Sequence, residues 1–404
     1  MAAFEENEKS LNKNNQDHQL EDCITLEEYP DHITSYWTLL EQGLEETINF
    51  NVSPETPPWL DLEKFKRGQK FARDHYFSIQ YSVLTALCLL YSEPFFIRGF
   101  MMTGKSNTPF KAFKKFLTTA SIFTAWYDED VWSNEPNSSK MKLNRAQRLH
   151  KYVEQKFKAY SEEELNEKTS IGDVDELSAR LPLHMIIKED YKNHCKNSIM
   201  YKKRSEMKVD VMISQAGIAG GQLGVMGLAV TYPKHFGLYF VTEEDLDSFV
   251  HFWRGIGYLL GVGDEYNFGN VNLDEVRYRT KATIDVLFKP AMREVHVNWE
   301  YMIRCMLDGI QLCMPLPIYC FESLVLDVSN MLGVPVPGLR KWMNFQQYLS
   351  FYAVRFAIML QVVPCIAAMS NWWLRWVMKK AGEVSPKVLA KWKAKKYSYV
   401  IYEE

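Results

Sequence analysis

Apolar residues recur along most of this chain at three- and four-residue intervals, and that periodicity restricts the fold to packed helices. The stretches 34–48, 60–91, 109–127, 143–160, 208–231, 242–262, 272–289, 291–309, 317–332 and 341–378 all carry it, and alternating, strand-like runs between them are few. The expectation is an all-α fold, a single large multi-helix domain. With 47% hydrophobic and 14% aromatic residues among 404, the chain can bury one large core. Thr242-Glu-Glu-Asp245 ahead of Leu246, Phe249 and Trp253 has the pattern of a capping box, so a helix should open there and close near Gly261 or Gly263. Loop formers concentrate at 134–139, in the acidic 161–177 stretch and at 263–272, without marking a domain boundary. The organisation predicted is a disordered polar arm over 1–30, a helical catalytic-type domain over 31–340, and an apolar helix with a basic tail over 341–404.

Charge excludes one class of partner. The 47 basic and 50 acidic residues give a formal charge of −3 and are mixed along the chain, so no broad basic face is laid out for nucleic acid. The seven cysteines are an odd number, scattered and without a CxxC pair, which argues against a disulfide framework or a zinc ribbon. The N-terminus is acidic and amide-rich with no apolar segment, neither a secretory signal nor an anchor, and a reducing, cytosol-facing location is expected. The run from Phe356 to Leu374 holds no charged residue and is long enough to cross a bilayer. Gln361, Pro364, Ser370 and Asn371 interrupt it, and a core helix of a large α domain has the same composition. If the run meets a membrane, Trp372, Trp373 and Trp376 with the lysines that follow would mark its interfacial, cytosolic end.

Gly99-Phe-Met-Met-Thr-Gly104-Lys105-Ser106 matches the GxxxxGK[ST] phosphate loop letter for letter. That loop needs a buried parallel strand before it and a helix starting at its Lys-Ser. Here Asn107-Thr108-Pro109 follows at once and should begin a new helix, and Glu93-Pro94 heads a poor central strand. The segment therefore reads as a helix-ending turn.

The most distinctive stretch is His251-Phe-Trp-Arg-Gly-Ile-Gly-Tyr-Leu-Leu-Gly-Val-Gly-Asp264-Glu-Tyr-Asn267, with Ile213-Ser-Gln215, Gln222 and Gly227 upstream. It resembles the WR-x-hydrophobic-G-x-LLG-hydrophobic-x-D segment of the mpaB and rubber-oxygenase catalytic family, which includes latex clearing proteins. Gly220 and Gly221 depart from the larger residues more usual there. The resemblance covers roughly residues 60–310 and implies the rubber-oxygenase type of helical fold, haem b as cofactor, and O₂ with a small apolar, isoprenoid or unsaturated-lipid substrate as reactants. In Arg145-Ala-Gln-Arg148-Leu149-His150-Lys151-Tyr152-Val153 it assigns His150 as the axial iron ligand, with Leu143, Leu149, Val153 and Phe157 as an apolar wall and Arg145 and Arg148 as candidates for the propionates. It assigns Lys115 and Thr119, an i, i+4 pair, to the distal side as catalytic residues. Lys115 stands where the family has an arginine and Thr118 where rubber-cleaving members have a lysine, and Glu93 is a candidate acidic distal residue.

Residue type alone gives plainer readings. His150, beside Arg148, Lys151 and Lys156, looks like a surface helix histidine. His251 suits a hydrogen-bonded core role, and Arg254 a buried pair with Asp264 or another acid. His184, His194 and His235 show no metal-ligand spacing, and no nucleophile elbow is present. The 18 Met, 23 Phe and 22 Tyr are core packing or the lining of an apolar cavity. The alternative to a haem oxygenase is a haem-free protein that binds a hydrophobic ligand on the same fold.

Overall fold

The computed structural model describes residues 23–24, 29–52, 55–132, 139–207, 210–314 and 319–401. The fold is all-α, as the periodicity requires; the one sheet among the described residues is a two-residue parallel pair, Cys23–Ile24 with Asn197–Ser198. Most of the expected 1–30 arm lies outside the described residues, but this pairing docks its end onto the body. The helices that frame the site are α1 (Leu62–Asp74), α2 (Tyr76–Leu90), α3 (Pro94–Met102), α4 (Pro109–Asp128), α5 (Ser139–Ala159), α6 (Gln215–Gln222), α7 (Glu243–Leu260), α8 (Val297–Gln311), α9 (Phe321–Met331), α10 (Phe345–Met359), α11 (Pro364–Gly382) and α12 (Pro386–Ala394).

Helix α7 is the central element. Thr242 Oγ1 accepts from Asp245 N at 3.1 Å while Asp245 accepts from Thr242 N at 3.1 Å, the reciprocal box expected at its start. Gly261 closes it at φ 96°, a conformation open to glycine at little cost. Its apolar face packs along α1 at a separation that excludes side chains: a Cβ on Gly68 would lie 2.2 Å from the Ser248 carbonyl oxygen, and one on Gly255 2.6 Å from the Phe65 ring. Phe65, Phe249, Phe252 and Trp299 are fully buried in the same core.

Several helical stretches are divided. The 60–91 run breaks at His75, and the side chain of Asn371 satisfies the backbone there, accepting from Phe77 N at 2.8 Å and donating to Asp74 O. The 208–231 and 272–289 runs contain π-helical turns at Leu223–Gly227 and Ile284–Phe288. The acidic 161–177 stretch, expected as a linker, instead forms helices Glu162–Lys168 and Val174–Arg180, each started by a side-chain cap from Ser161 and Asp173. The Gly263–Asn272 segment is a turn region, and 133–138 lies outside the described residues.

The Phe356–Leu374 run is neither a continuous span nor a core helix. It breaks at Leu360–Val362 and restarts at Pro364, where α11 begins. Among the described residues no single helix is long and apolar enough to cross a membrane; the one bent pair that passes by length and composition, α2 with α3 at 102°, includes the largely buried α2.

Gly68→Ala should lower the free energy of unfolding by about 1–3 kcal/mol through overpacking against Ser248. Gly382→Ala, whose new Cβ meets nothing within 4 Å, should leave it unchanged or slightly raised. Urea denaturation of the two variants checks the contrast.

Candidate functional site

His150 is turned inward by the residues one turn to either side of it. On α5, Gln147, His150 and Glu154 share a face. Gln147 Nε2 donates to Leu259 O of α7 at 2.6 Å, and Glu154 Oε2 accepts from Met212 N at 3.0 Å and Ile213 N at 2.8 Å, just ahead of α6. These two anchors seat α5 across the end of α7 and the start of α6, with His150 between them. His150 is also seven residues from both Leu143 and Phe157, which are buried, so it occupies the seam of the helix.

The environment fixes the state of the imidazole. Burial pushes the His150 pKa down to about 4, so the ring is neutral at physiological pH. Its Nδ1 is buried without a hydrogen-bond partner. A buried polar atom left unsatisfied costs on the order of 1–3 kcal/mol, so an unpaired imidazole nitrogen in a tied-down helix calls for a function.

The other residues expected beside it divide. Arg145 and Arg148 are exposed and lie roughly 140–160° around α5 from His150, so they point to solvent on the far face. Leu149, expected in the apolar wall, is 43% exposed, whereas Leu143, Val153 and Phe157 are buried.

Lys115 sits on α4 with its ammonium 3.8 Å from the centroid of the Phe100 ring of α3 and 3.3 Å from Ser106 Oγ. Among the described residues no carboxylate pairs with it. Burial, assisted by Lys105, lowers its pKa to about 7. Thr119 is one turn along the same, half-buried face, which continues through Phe123 to Trp126; both of these rings pack on Trp253 of α7. Trp126 and Trp253 also bury an Nε1 without a partner. Helix α5 packs against both α4 and α7, so the Lys115 stripe and the His150 face belong to one group of helices.

Helix α6 supplies a further boundary. Gly220 abuts the Phe96 ring of α3, whereas a Cβ at Gly221 would meet nothing within 4 Å. The glycine at 221 leaves space where a larger residue would stand.

The turn at 99–106 has no phosphate-loop geometry. Helix α3 ends at Met102, Gly104 takes φ 60°, Thr108 caps α4 by accepting from Lys111 N, and Pro109 is its first residue. Lys105 is exposed and 5.9 Å from the centroid of Tyr152. Glu93 is tied to structure: it accepts from Arg204 Nε at 2.9 Å and from Phe96 N at 3.2 Å. His251 Nε2 accepts from Asp61 N at 3.1 Å at the start of α1, and Arg254 holds Asp264 through bonds of 3.0 and 2.7 Å. Among the described residues no group of three or more His, Cys, Asp or Glu is placed to hold a metal ion.

Two features were not visible in the sequence. One is a buried cluster in which Asp327 accepts from Tyr81 Oη at 2.6 Å and pairs with His235 Nε2 at 3.0 Å and Arg355 Nη1 at 3.3 Å. Burial alone would raise the Asp327 carboxyl, but His235 and Arg355 hold it below its ordinary value. The other is a cavity of about 110 Å³ lined by Phe113, Phe116, Leu117, Ile310, Leu374 and Met378 among others. Its α4 residues Phe113, Leu117 and Ala120 lie on the side of the helix away from Lys115, while the Phe116 ring, its centroid 5.7 Å from Lys115 Nζ, borders both. The heptad Leu143, His150, Phe157 was the legible signal that His150 faces inward; nothing local announced Gln147 and Glu154 as anchors.

No family model matches the chain, and no curated protein matches it. Among solved structures it is similar to that of a latex clearing protein in the closed state, with 14% identity, coverage of 92% of this chain and 91% of that one, and a TM-score of 0.45.

Lys115 has a pH signature with a definite sign. Its folded pKa of about 7 lies below the ordinary 10.5, so between these values the unfolded chain holds the extra proton and folding stability rises with pH. Lys115→Met should therefore raise the melting temperature relative to wild type at about pH 7, and the advantage should shrink towards about pH 10. Thermal melts across that range measure it.

Proposed function

We propose that this protein is a haem b-dependent oxidoreductase of the oxygenase type, with His150 as the axial ligand. The observation that carries the reading is the neutral imidazole of His150, held on the inward face of α5, because iron ligation requires an unprotonated ring nitrogen. The resemblance of His251–Asn267 and of the His150 helix to the mpaB and rubber-oxygenase family supports the same choice of cofactor. The donor set fits haem better than a bare metal ion, since a single histidine with no carboxylate or thiolate cluster around it among the described residues suits a macrocycle that supplies the other ligands.

When bound, haem b supplies redox and oxygen chemistry. The chain's own residues set its surroundings. His150 would hold the group through one nitrogen, oriented by Gln147 and Glu154 one turn away on either side. Lys115 Nζ, with a pKa near neutrality, can hold or release a proton beside the Phe100 ring, and the Thr119 hydroxyl one turn along is the companion donor. The missing side chain at Gly221 leaves room for a bulky planar group or an apolar substrate. The aromatic surfaces of Phe100 and Phe123 favour a small apolar, isoprenoid or unsaturated-lipid substrate and exclude water from it. Lys115 and Thr118, differing from the rubber-cleaving pattern, point to a substrate other than polyisoprene.

A second reading, a haem-free binder of a small apolar molecule, is favoured by the cavity between α2, α4, α8 and α11. At about 110 Å³ it is smaller than the roughly 150 Å³ cavity that accommodates benzene, so it suits a small ligand or one end of a longer chain. Native mass spectrometry that finds bound lipid and no iron would favour it.

Protein expressed with haem supplementation should show a Soret band. His150→Ala should bind haem at least about tenfold more weakly while keeping its helical circular dichroism. Wild-type protein without Soret absorbance, or unchanged haem content in His150→Ala, overturns the assignment.

A further inference from the structure

Helices α10 and α11 bury Val354, Ile358, Leu374 and Val377 against the body yet are apolar on their outer face as well. Along α10 the large apolar residues Phe345, Leu349, Tyr352, Phe356 and Met359, spaced by three and four, are all exposed, Phe345 by 81%. The pattern continues on α11 with Met369, Trp372 and Trp376, Trp372 being 64% exposed. Two of the residues that dilute the apolar run face the body instead. Gln361 is buried and donates to Ala357 O at 3.0 Å and Ser370 Oγ at 3.2 Å across the break. Asn371 is buried against the α1–α2 break. Both arginines of the pair also turn inward: Arg355 pairs with Asp327, and Arg375 with Asp128 at 2.8 Å. A helix pair packed on a soluble body ordinarily keeps its outer face polar, so this outer face is made for an apolar contact.

Charge identifies what covers it. From residue 328 to 402 the chain holds eleven Lys and Arg and a single acidic residue, Glu383; with the inward-paired Arg355 and Arg375 set aside, nine basic residues remain, although the whole molecule carries −3. Lys341 precedes the apolar stripe, Lys379 follows it, and Lys387, Lys391 and Lys393 extend the basic series along α12, all of them exposed. Aromatic and aliphatic side chains flanked by lysines, on helices too short to span, match a monotopic contact with an anionic lipid surface. A second copy of the chain is disfavoured as the occupant, because a symmetric pairing would bring the two lysine series together. The cavity lined by Leu374 and Met378 lies directly behind α11, consistent with an apolar environment on that side.

We infer that α10 and α11 lie in the plane of an anionic membrane surface, with Phe345, Phe356, Trp372 and Trp376 inserted among the acyl chains and the lysines at the headgroups. This holds whether or not His150 carries haem.

The experiment is co-sedimentation of the full chain with phosphatidylcholine vesicles and with vesicles of phosphatidylcholine and phosphatidylserine, read with the tryptophan emission maximum. Binding to the phosphatidylserine vesicles with a blue-shifted emission is expected. A variant with Phe345, Phe356, Trp372 and Trp376 changed to serine should partition at least about tenfold less, with an unchanged melting temperature because these side chains are exposed. Lys379→Glu with Lys387→Glu should weaken binding to the phosphatidylserine vesicles selectively, an arm that does not depend on the first variant folding. Absence of binding, equal binding to both vesicle types, unchanged binding in the serine variant, or a concentration-dependent dimer in sedimentation velocity that the serine variant abolishes would overturn the proposal.

Discussion

The amide of Gln222 ties together α6 and α7, the two helices on which the His150 helix is seated. Its Nε2 donates to Trp253 O and Asn267 Oδ1 at 2.9 Å each, and its Oε1 accepts from Phe268 N at 3.0 Å. Seven residues earlier, Gln215 does the same at the other end of α6, accepting from Gly263 N at 2.9 Å and donating to Thr47 O at 3.2 Å. Buried amides with their partners in place are specific in a way that apolar contacts are not, since any shift in register leaves several groups unpaired at once. Helix α6 is therefore fixed against the end of α7, and the chain after α7 is held by Arg254 and Asp264.

The same device positions the histidine. Gln147 and Glu154 bind backbone groups at the end of α7 and the start of α6, the two places that Gln215 and Gln222 have already fixed. His150, between them, is thereby presented to the interior by polar anchors and not by hydrophobic packing alone. Lys115 is placed differently, by an aromatic ring and a serine hydroxyl without an opposing acid. The pair thus supplies a neutral base and a near-neutral ammonium within one helix group, and both owe their state to burial.

Elements governed by local chemistry were legible in the sequence. The Thr242 box, the Gly261 end and the restart of the chain at Thr108-Pro109 follow from neighbours within a few residues, and the Arg254 and Asp264 pair from one ten residues away; that His251 is hydrogen-bonded was also expected, although its partner, Asp61, is 190 residues away. What escaped depends on distant partners. The break at His75 is stabilised by Asn371, nearly three hundred residues away in the chain. The outward turn of Leu149 follows from Gln147 and Glu154 taking the inner face, which apolar periodicity does not register. For Arg145 and Arg148 the sequence left propionates or solvent open, and the helix turns both side chains to solvent, away from His150. The C-terminal run was read as apolar in bulk; only the partners of Gln361, Asn371, Arg355 and Arg375 reveal which face is which.

The central claim is that His150 is a partly buried, neutral imidazole whose enclosed Nδ1 has no hydrogen-bond partner. Nitrogen-15 NMR of protein labelled at histidine, with His150 assigned by substitution, reports its protonation directly. The account predicts that this ring stays neutral down to about pH 4 and that its nitrogen signal shifts on addition of haem. Titration near the ordinary 6.5, with a signal indifferent to haem, would contradict it.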